Sequence, residues 1–278
     1  MLTGQNAFLL SEKIAQVDGF KTLHSAARQI KKELRQQGLQ THLTVWKDFY
    51  APQFATSQVH EFDSFYRFST QPNMVFNIRK DWLSFDHYID ALLKKYRDQY
   101  KRARKKSEGL AKRKMPLEDI VQYEETIYQL YLTVAQNAPF NTFYLPKNHF
   151  TEFKKQLGDR FLFYGYFEND QLVGFNTLIK NGDDIDTYFL GYAENCQREK
   201  MLYLNMLYDM IAYSINKGFS RIIFARTALE IKSSVGAEPV PMFGFIQHSN
   251  PLANRFLSKL FQYFEPEMVW QQRHPFKV

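Results

Sequence analysis

The chain has 278 residues, 45% of them hydrophobic and 17% aromatic, a composition that can fill a sizeable core and excludes a disordered protein. Its net charge of +7 is concentrated in one segment. Residues 94–114 hold eleven lysines and arginines against Asp98 and Glu108, a local net of +9, so the remainder of the chain sums to −2. The basic character therefore belongs to one segment and not to the whole surface.

Several features of the sequence limit where the protein works. Cys196 is the one cysteine, so no internal disulfide is possible and no oxidising compartment is required. The N-terminus lacks the basic and apolar regions of a signal peptide, and no window approaches the roughly 18 apolar residues that span a bilayer. We expect no transmembrane segment and a cytoplasmic location.

The usual motifs of cofactor chemistry are missing. Seven histidines are scattered singly, none at a zinc-site spacing, and for each we expect a satisfied or exposed side chain and no metal. There is no GxSxG elbow, GxxxxGK[ST] phosphate loop or GxGxxG turn. Hydrolase, ATPase and dehydrogenase functions therefore have no support.

The first half of the chain alternates helices and strands. Residues 5–11 predict a short strand, 20–38 an amphipathic helix closed by Gly38, and 41–49 and 72–78 two further strands. A long helix is predicted from about Ser84 to Gly109, because tyrosines and other apolar residues recur in it at steps of three and four. The basic residues lie on this helix, and Pro116 ends any continuation.

The second half repeats this order more completely. Residues 117–136 and 146–157 predict helices, and residues 160–168, 171–180 and 184–192 predict three antiparallel strands joined by polar turns. A helix over 200–218, strands over 220–226 and 242–248, and a helix over 250–264 follow. Because the order of elements in the first half matches the end of the second, we infer an internal duplication with an incomplete first copy.

Three stretches carry a family resemblance: KYRDQYKRARKK (95–106), YFLGYAEN (188–195) and FARTALEIKSSVGAEPVPM (224–242). With the order of elements, they resemble the GNAT superfamily, and within it the tandem Fem-type peptidyltransferases and the acetyltransferase-6-like domains found near biotin-synthesis enzymes. The resemblance implies an α+β fold with a mixed sheet, the acyl-CoA N-acyltransferase fold. It implies a partial unit over 1–83, a basic linker helix over 84–114 and a complete acyltransferase domain over 115–278.

The resemblance also implies a reaction, the transfer of an acyl group from a CoA thioester, acetyl-CoA above all, to an amine of a small-molecule or peptide acceptor. The family's glycine-containing phosphate loop is replaced here by QREKML (197–202), so phosphate would have to be bound by side chains. The missing glycines also favour a Fem-type enzyme using aminoacyl-tRNA, and they leave open a non-catalytic nucleic-acid-binding protein of this fold. The basic segment 94–114 is expected to bind tRNA or another anionic partner, with the solvated face of an ordinary helix as the alternative. Candidate cofactor-binding residues are Gln197, Arg198, Lys200, Arg102, Arg104 and Lys105.

The segment after the strand over 220–226 is the best candidate for catalysis. Glu230 would take a proton from the attacking amine, while Arg226 and Lys232 would hold an anionic substrate or a developing oxyanion. The alternative to these roles is that the three residues form ordinary salt bridges in a loop. Tyr188 and Tyr192, at alternate positions of one strand, are expected on the same face, with core packing as the alternative. No proton donor is found on the last helix, where Leu257 stands at the position the family often gives to tyrosine.

Overall fold

A computed structural model describes residues 8–50, 60–138, 141, 143–264 and 270–277, with backbone alone at 70 and 262–264. Ten α-helices, two short 3₁₀ helices (His60–Phe62 and Gly158–Arg160) and eight strands lie in this part of the chain. The helices are α1 (Gln16–Gln36), α2 (Phe85–Ala91), α3 (Lys94–Lys106), α4 (Leu117–Gln122), α5 (Glu124–Gln136), α6 (His149–Leu157), α7 (Glu194–Lys200), α8 (Leu202–Asn216), α9 (Leu229–Ser234) and α10 (Pro251–Phe264). The strands are β1 (Leu43–Tyr50), β2 (Tyr66–Asn77), β3 (Leu110–Lys114), β4 (Phe161–Glu168), β5 (Gln171–Asn181), β6 (Asp184–Tyr192), β7 (Arg221–Ile223) and β8 (Glu238–His248).

The chain forms two compact units. Unit 1 contains residues 1–73 and 240–270, and unit 2 contains residues 74–239 and 271–278. The division differs from the boundaries after residues 83 and 114 suggested by the sequence. The basic segment 94–114 lies within unit 2, because α3 packs on α8 and β3 pairs with β4.

Unit 1 is built around an antiparallel pair from opposite ends of the sequence. β1 pairs with β8 from Leu43 opposite His248 to Tyr50 opposite Met242. α1 contributes Phe20 to an aromatic core that also contains Phe49, Phe62 and Phe243. Burying these large rings removes apolar surface from water and so stabilises the unit.

Unit 2 contains a mixed sheet of strand order β2–β7–β6–β5–β4–β3, in which β2 contributes residues from 74 onward. The predicted meander of β4, β5 and β6 is confirmed as two antiparallel pairings. Its first turn places Asn169 and Asp170 at φ of 48° and 59°, the left-handed pair that a two-residue hairpin favours. β6 and β7 are parallel, so the sheet is mixed as predicted.

Helices cover both faces of this sheet. On one face, α5 and α6 bury an aromatic cluster that includes Phe150, Phe163 and Phe175. α5 lies so close to β6 that a Cβ on Gly191 would stand 2.6 Å from the backbone nitrogen of Tyr131. Only glycine permits this approach. The opposite face carries α8, whose Leu202 packs against Gly174 of β5.

Several predicted elements differ in detail. The long helix from Ser84 is interrupted, since Leu92 and Leu93 are extended and bond to residues 275 and 276 of the C-terminal segment. The tyrosine stripe continues across that interruption, which is why periodicity did not reveal it. The helix predicted over 200–218 starts earlier and divides at Met201, which has a φ of 50°. Of the strand predicted over 5–11, residues 5–7 lie outside the described residues and 8–11 are not a strand.

Candidate functional site

The parallel strands β6 and β7 separate partway along their length. Their pairing runs from Asp184 opposite Arg221 to Asp186 opposite Ile223, where β7 ends, and β6 continues for six residues. At the point of separation, the Thr187 hydroxyl donates to the Ile223 carbonyl over 3.1 Å. Past this point the end of β6 and the chain leaving β7 are no longer joined by strand pairing.

The chain leaving β7 stays with the strand on its other side. The Phe224 amide donates to the Met74 carbonyl of β2 over 2.8 Å, and the Met74 amide donates to the Ala225 carbonyl over 3.1 Å. These bonds hold the loop away from the last residues of β6. The separation of the two strands is thus a fixed feature of the backbone of unit 2.

The loop after β7 is conformationally strained. Ala225, Thr227 and Ala228 have φ of 58°, 71° and 48°, a region that costs a non-glycine residue about 1 to 2 kcal/mol. Three such residues within four positions persist only where the surrounding structure holds them. Strain of this kind is concentrated at functional sites, which makes the loop a candidate site on geometry.

Lys232 holds this loop in place. Its side chain reaches back from α9, and Nζ donates to the carbonyls of Phe224, Arg226 and Ala225 over 2.6, 2.8 and 3.4 Å. Only 5% of the residue is exposed, and this burial lowers the pKa of Lys232 to about 7. The sequence singled out Lys232 as a group that holds substrate, but its ammonium is directed at the protein's own backbone.

Glu230, the predicted base, is half-exposed at the start of α9 and forms an ion pair with Arg273. The Arg273 backbone amide also donates to the Ser233 hydroxyl over 3.0 Å. Arg273 was missed in the sequence, since a single arginine 43 positions away carries no local signal. Arg226 lies in the strained loop with a partly buried side chain, so three of the predicted charged residues do share one region.

Tyr188 and Tyr192 do not face the same side of the sheet, contrary to the expectation from alternation. A β-bulge shifts the register of β6 against β5 between Thr187 and Leu190. Tyr188 consequently packs toward α6, where its hydroxyl bonds to Nε2 of His149 over 3.0 Å and its ring stacks on Phe153. Burial raises the pKa of Tyr188 to about 12 and lowers the pKa of His149.

Tyr192 lies on the opposite face, where its ring approaches Tyr203 of α8 at 6.5 Å between centroids. Burial raises the pKa of Tyr192, and the neighbouring Glu194 adds to the effect. Of the two tyrosines, Tyr192 is the one at the end of β6, beyond the separation from β7. Tyr188 has the structural role of a core side chain.

The segment expected to bind phosphate is a junction between two helices. Gln197 lies in α7, and its Oε1 accepts the Tyr203 amide at the start of α8 over 2.6 Å. Leu202 is fully buried. In a glycine-containing loop the first amides of the following helix are available to an anion, but here a side chain of the protein already occupies one of them.

The basic side chains of this junction are also paired. Arg198 contacts Glu194 over 3.3 Å, and Lys200 contacts Glu168 over 3.2 Å while donating to the Glu108 carbonyl. Arg198 is 76% exposed, and such exposed pairs contribute little and are easily broken. Lys200 is less accessible, so its predicted role in binding phosphate requires a larger rearrangement.

The basic helix α3 divides into buried and exposed cations. Arg104 donates to Asp209 over 2.7 Å and to the Asn205 side chain over 3.2 Å. Arg104 was expected to hold an anionic cofactor, but its guanidinium instead bonds to side chains of α8 and so joins α3 to that helix. Arg102 and Lys105, from the same prediction, are exposed.

The Asp209 carboxylate also accepts the hydroxyl of Tyr166 over 2.9 Å. Lys112 of β3 lies 3.7 Å from the same carboxylate, and its burial lowers the pKa of the ammonium. Burial raises the pKa of Tyr166 well above its ordinary value. This cluster links α3, β3, β4 and α8, and the run of cations in the sequence did not reveal it.

The fold and the separated strands define the class of architecture. No protein-family model matches the sequence and no curated protein is similar to it. Among solved structures, FemX matches with a TM-score of 0.60 at 10% identity, over 91% of this chain and 82% of that one. The C-terminal domain of a putative lysylphosphatidylglycerol synthetase from Agrobacterium fabrum matches with a TM-score of 0.55 at 9% identity, over 85% and 77%.

A conserved protein of unknown function from Bacteroides thetaiotaomicron has the same TM-score of 0.55 at 11% identity, over 81% of this chain and 75% of that one. The fold is therefore the GNAT-like acyltransferase fold expected from the sequence. Identities this low speak for the fold alone. Within the described ranges, no helix is both long and apolar enough to cross a bilayer. The same ranges contain no group of three or more potential metal ligands from His, Cys, Asp and Glu.

Proposed function

We propose that this protein is an acyltransferase that moves an acyl group onto an amine in the cleft between β6 and the loop after β7. The observation that carries the proposal is the separation of these strands past Asp186 and Ile223, in a GNAT-like fold. The open edge of β6 gives an extended acyl donor backbone groups to bond with. The strained loop supplies a rigid opposite wall.

Glu230 is the proposed base. It lies at the start of α9 with half of its side chain exposed, so an amine can reach it from solvent. Arg273 orients its carboxylate. We propose that the ammonium form of the acceptor displaces Arg273 and loses one proton to Glu230, and that the neutral amine then attacks the acyl carbonyl. The C–S bond of a thioester donor breaks, and the departing thiolate takes up the second proton of the amine. Arg226 and Tyr192 are proposed to contact the substrates.

A CoA thioester, acetyl-CoA first, is the donor that we propose. Arg198 is available for its phosphates because its exposed pair with Glu194 is readily exchanged. Arg102 and Lys105 supply further exposed cations on α3. The Tyr203 amide can bind a phosphate of the donor only if the Gln197 side chain moves away from it.

An aminoacyl group delivered by tRNA is the second candidate donor. The side-chain cap on α8 favours it, since a donor of that kind needs no pyrophosphate site at this helix. FemX and the putative lysylphosphatidylglycerol synthetase are the solved structures that support a tandem, Fem-like type for this chain. A non-catalytic protein of the same fold, bound to nucleic acid through α3, is the remaining alternative.

Thermal-shift titration with acetyl-CoA separates these proposals. Ligand at 100 times its dissociation constant should stabilise the protein by about 2.7 kcal/mol. Replacing Glu230 by Gln should leave this shift unchanged and lower kcat/KM for acyl transfer to an amine by about a hundredfold. Glu238→Gln is the matched control, since Glu238 is exposed in the same unit.

The results have distinct meanings. A shift that Arg198→Ala reduces supports CoA as the donor. No shift at millimolar acetyl-CoA, together with transfer from aminoacyl-tRNA, supports the second donor. If neither donor yields a product with any amine tested, acyl transfer is refuted.

A further inference from the structure

Unit 1 contains a cavity that is lined mostly by polar residues and whose charged lining residues are cations. The cavity has a volume of about 760 Å³ and is lined by residues of α1, of the turn before β1, and of the segment joining β8 to α10. Three of its lining residues are cations of α1: Lys31, Lys32 and Arg35. None of the described lining residues has a carboxylate.

The three cations are placed to act together. Arg35 lies one helical turn from both Lys31 and Lys32, and all three residues line the same cavity. No ion pair joins any of the three to a carboxylate among the described residues. The Lys31 ammonium is instead held by the hydroxyls of Thr44 and Ser249, at 3.0 and 3.4 Å.

Hydrogen-bonding groups complete the wall. The imidazole rings of His42 and His248 stack at 6.3 Å between centroids. Nδ1 of His248 accepts the Asn250 amide over 2.9 Å, so the hydrogen of the neutral ring lies on Nε2, which is a donor. Ser249 donates to the Thr41 carbonyl over 2.8 Å, which fixes the turn that carries these groups.

We propose that this cavity binds a small phosphorylated metabolite with two or more negative charges. Cations, hydroxyls and imidazole donors around one cavity suit a tetrahedral oxyanion, and a carboxylate-free wall avoids repulsion. The volume is that of an ordinary small-molecule pocket and leaves room for an organic portion beside the phosphate. This site lies in unit 1, and its proposal does not depend on acyl transfer.

Calorimetric titration with sodium pyrophosphate and with ADP tests the proposal. We expect saturable binding to the wild-type protein. The double variant Lys32→Gln/Arg35→Gln should weaken it about tenfold or more, as expected for the loss of charge-assisted hydrogen bonds. Both side chains are exposed and have no structural hydrogen bond among those described, so folding should be retained, which circular dichroism checks.

The control is Arg255→Gln/Lys259→Gln, which removes two exposed cations of α10 outside the cavity and should change the dissociation constant less than twofold. Equal weakening by both double variants would mean diffuse attraction and would overturn the proposal. The absence of a saturable heat of binding with millimolar pyrophosphate and with ADP would also overturn the proposal. An RNA oligomer or a phosphatidic acid vesicle that binds through Lys32 and Arg35 while neither small probe binds would also overturn it, in favour of a macromolecular partner.

Discussion

Replacing Lys232 by Met removes the donor that holds the strained loop while keeping most of the side chain's apolar volume. At pH 9 Nζ is a neutral amine with two hydrogens, so the carbonyls that lose a hydrogen bond are the two closest ones, those of Phe224 and Arg226. Leaving buried acceptors unpaired costs about 1 to 3 kcal/mol each when no water replaces the donor, and the longest bond contributes least. We therefore expect the variant to lose roughly 2 to 4 kcal/mol of unfolding free energy at pH 9.

The effect should depend on pH with a defined sign. The pKa of Lys232 is about 7 in the folded protein and 10.5 for an unperturbed lysine. Between these values the unfolded chain binds more protons than the folded one, so the unfolding free energy rises with pH. Two pH units, from 7 to 9, correspond to about 2 kcal/mol for this one group. The methionine variant lacks this contribution.

Urea denaturation followed by circular dichroism at pH 7 and pH 9 measures the difference. The destabilisation caused by Lys232→Met should be about 2 kcal/mol greater at pH 9 than at pH 7, since all other titrations cancel between the two proteins. Lys101→Met, on the exposed side of α3, should show neither effect. A destabilisation that is equal at the two pH values would refute the lowered pKa. A variant as stable as the wild type at pH 9 would refute the role of Lys232 in holding the loop.

Two further substitutions test how unit 2 is held together. Arg104→Ala should lower the unfolding free energy by roughly 2 to 3 kcal/mol in urea denaturation, because it leaves the Asp209 carboxylate without its closest cation, whereas Arg102→Ala should change it by less than about 0.5 kcal/mol. Gly191→Ala should lower the melting temperature, with a cost of about 1 to 3 kcal/mol, because its Cβ meets the backbone of α5. Equal effects of the two arginine variants, or a Gly191→Ala protein that melts like the wild type, would contradict these contacts.

The regular elements of unit 2 follow from local sequence because their signals are local. The meander has alternating apolar residues and short polar turns, and each signal lies within about ten residues of the chain. The interruption at Leu92 has no such signal, since its cause is the pairing with Phe276 far along the sequence. The β-bulge in β6 is similarly invisible, and it alone accounts for the wrong prediction that Tyr188 and Tyr192 share a face.

The sequence located the candidate site but did not reveal the partner of each of its charged residues. The cluster of charges after β7 was visible because Arg226, Glu230 and Lys232 lie within seven residues. The function of each charge depends on its partners. Lys232 turns back to the backbone, while Glu230 is held by Arg273 from the C-terminal segment. Arg104 shows the same limit of sequence analysis, because a count of charges cannot distinguish a solvent-exposed cation from one that forms an ion pair with Asp209.

The order in which the units use the chain has a consequence for biosynthesis. β1 is synthesised long before its partner β8, which pairs with it through residues 242–248. Residues 271–277 belong to unit 2, although they follow the second stretch of unit 1 in the sequence. A ribosome must therefore pass residue 240 before β1 can pair with β8, and residue 273 must emerge before Arg273 can reach Glu230. During that interval, β1 is an unpaired strand edge exposed to other nascent chains.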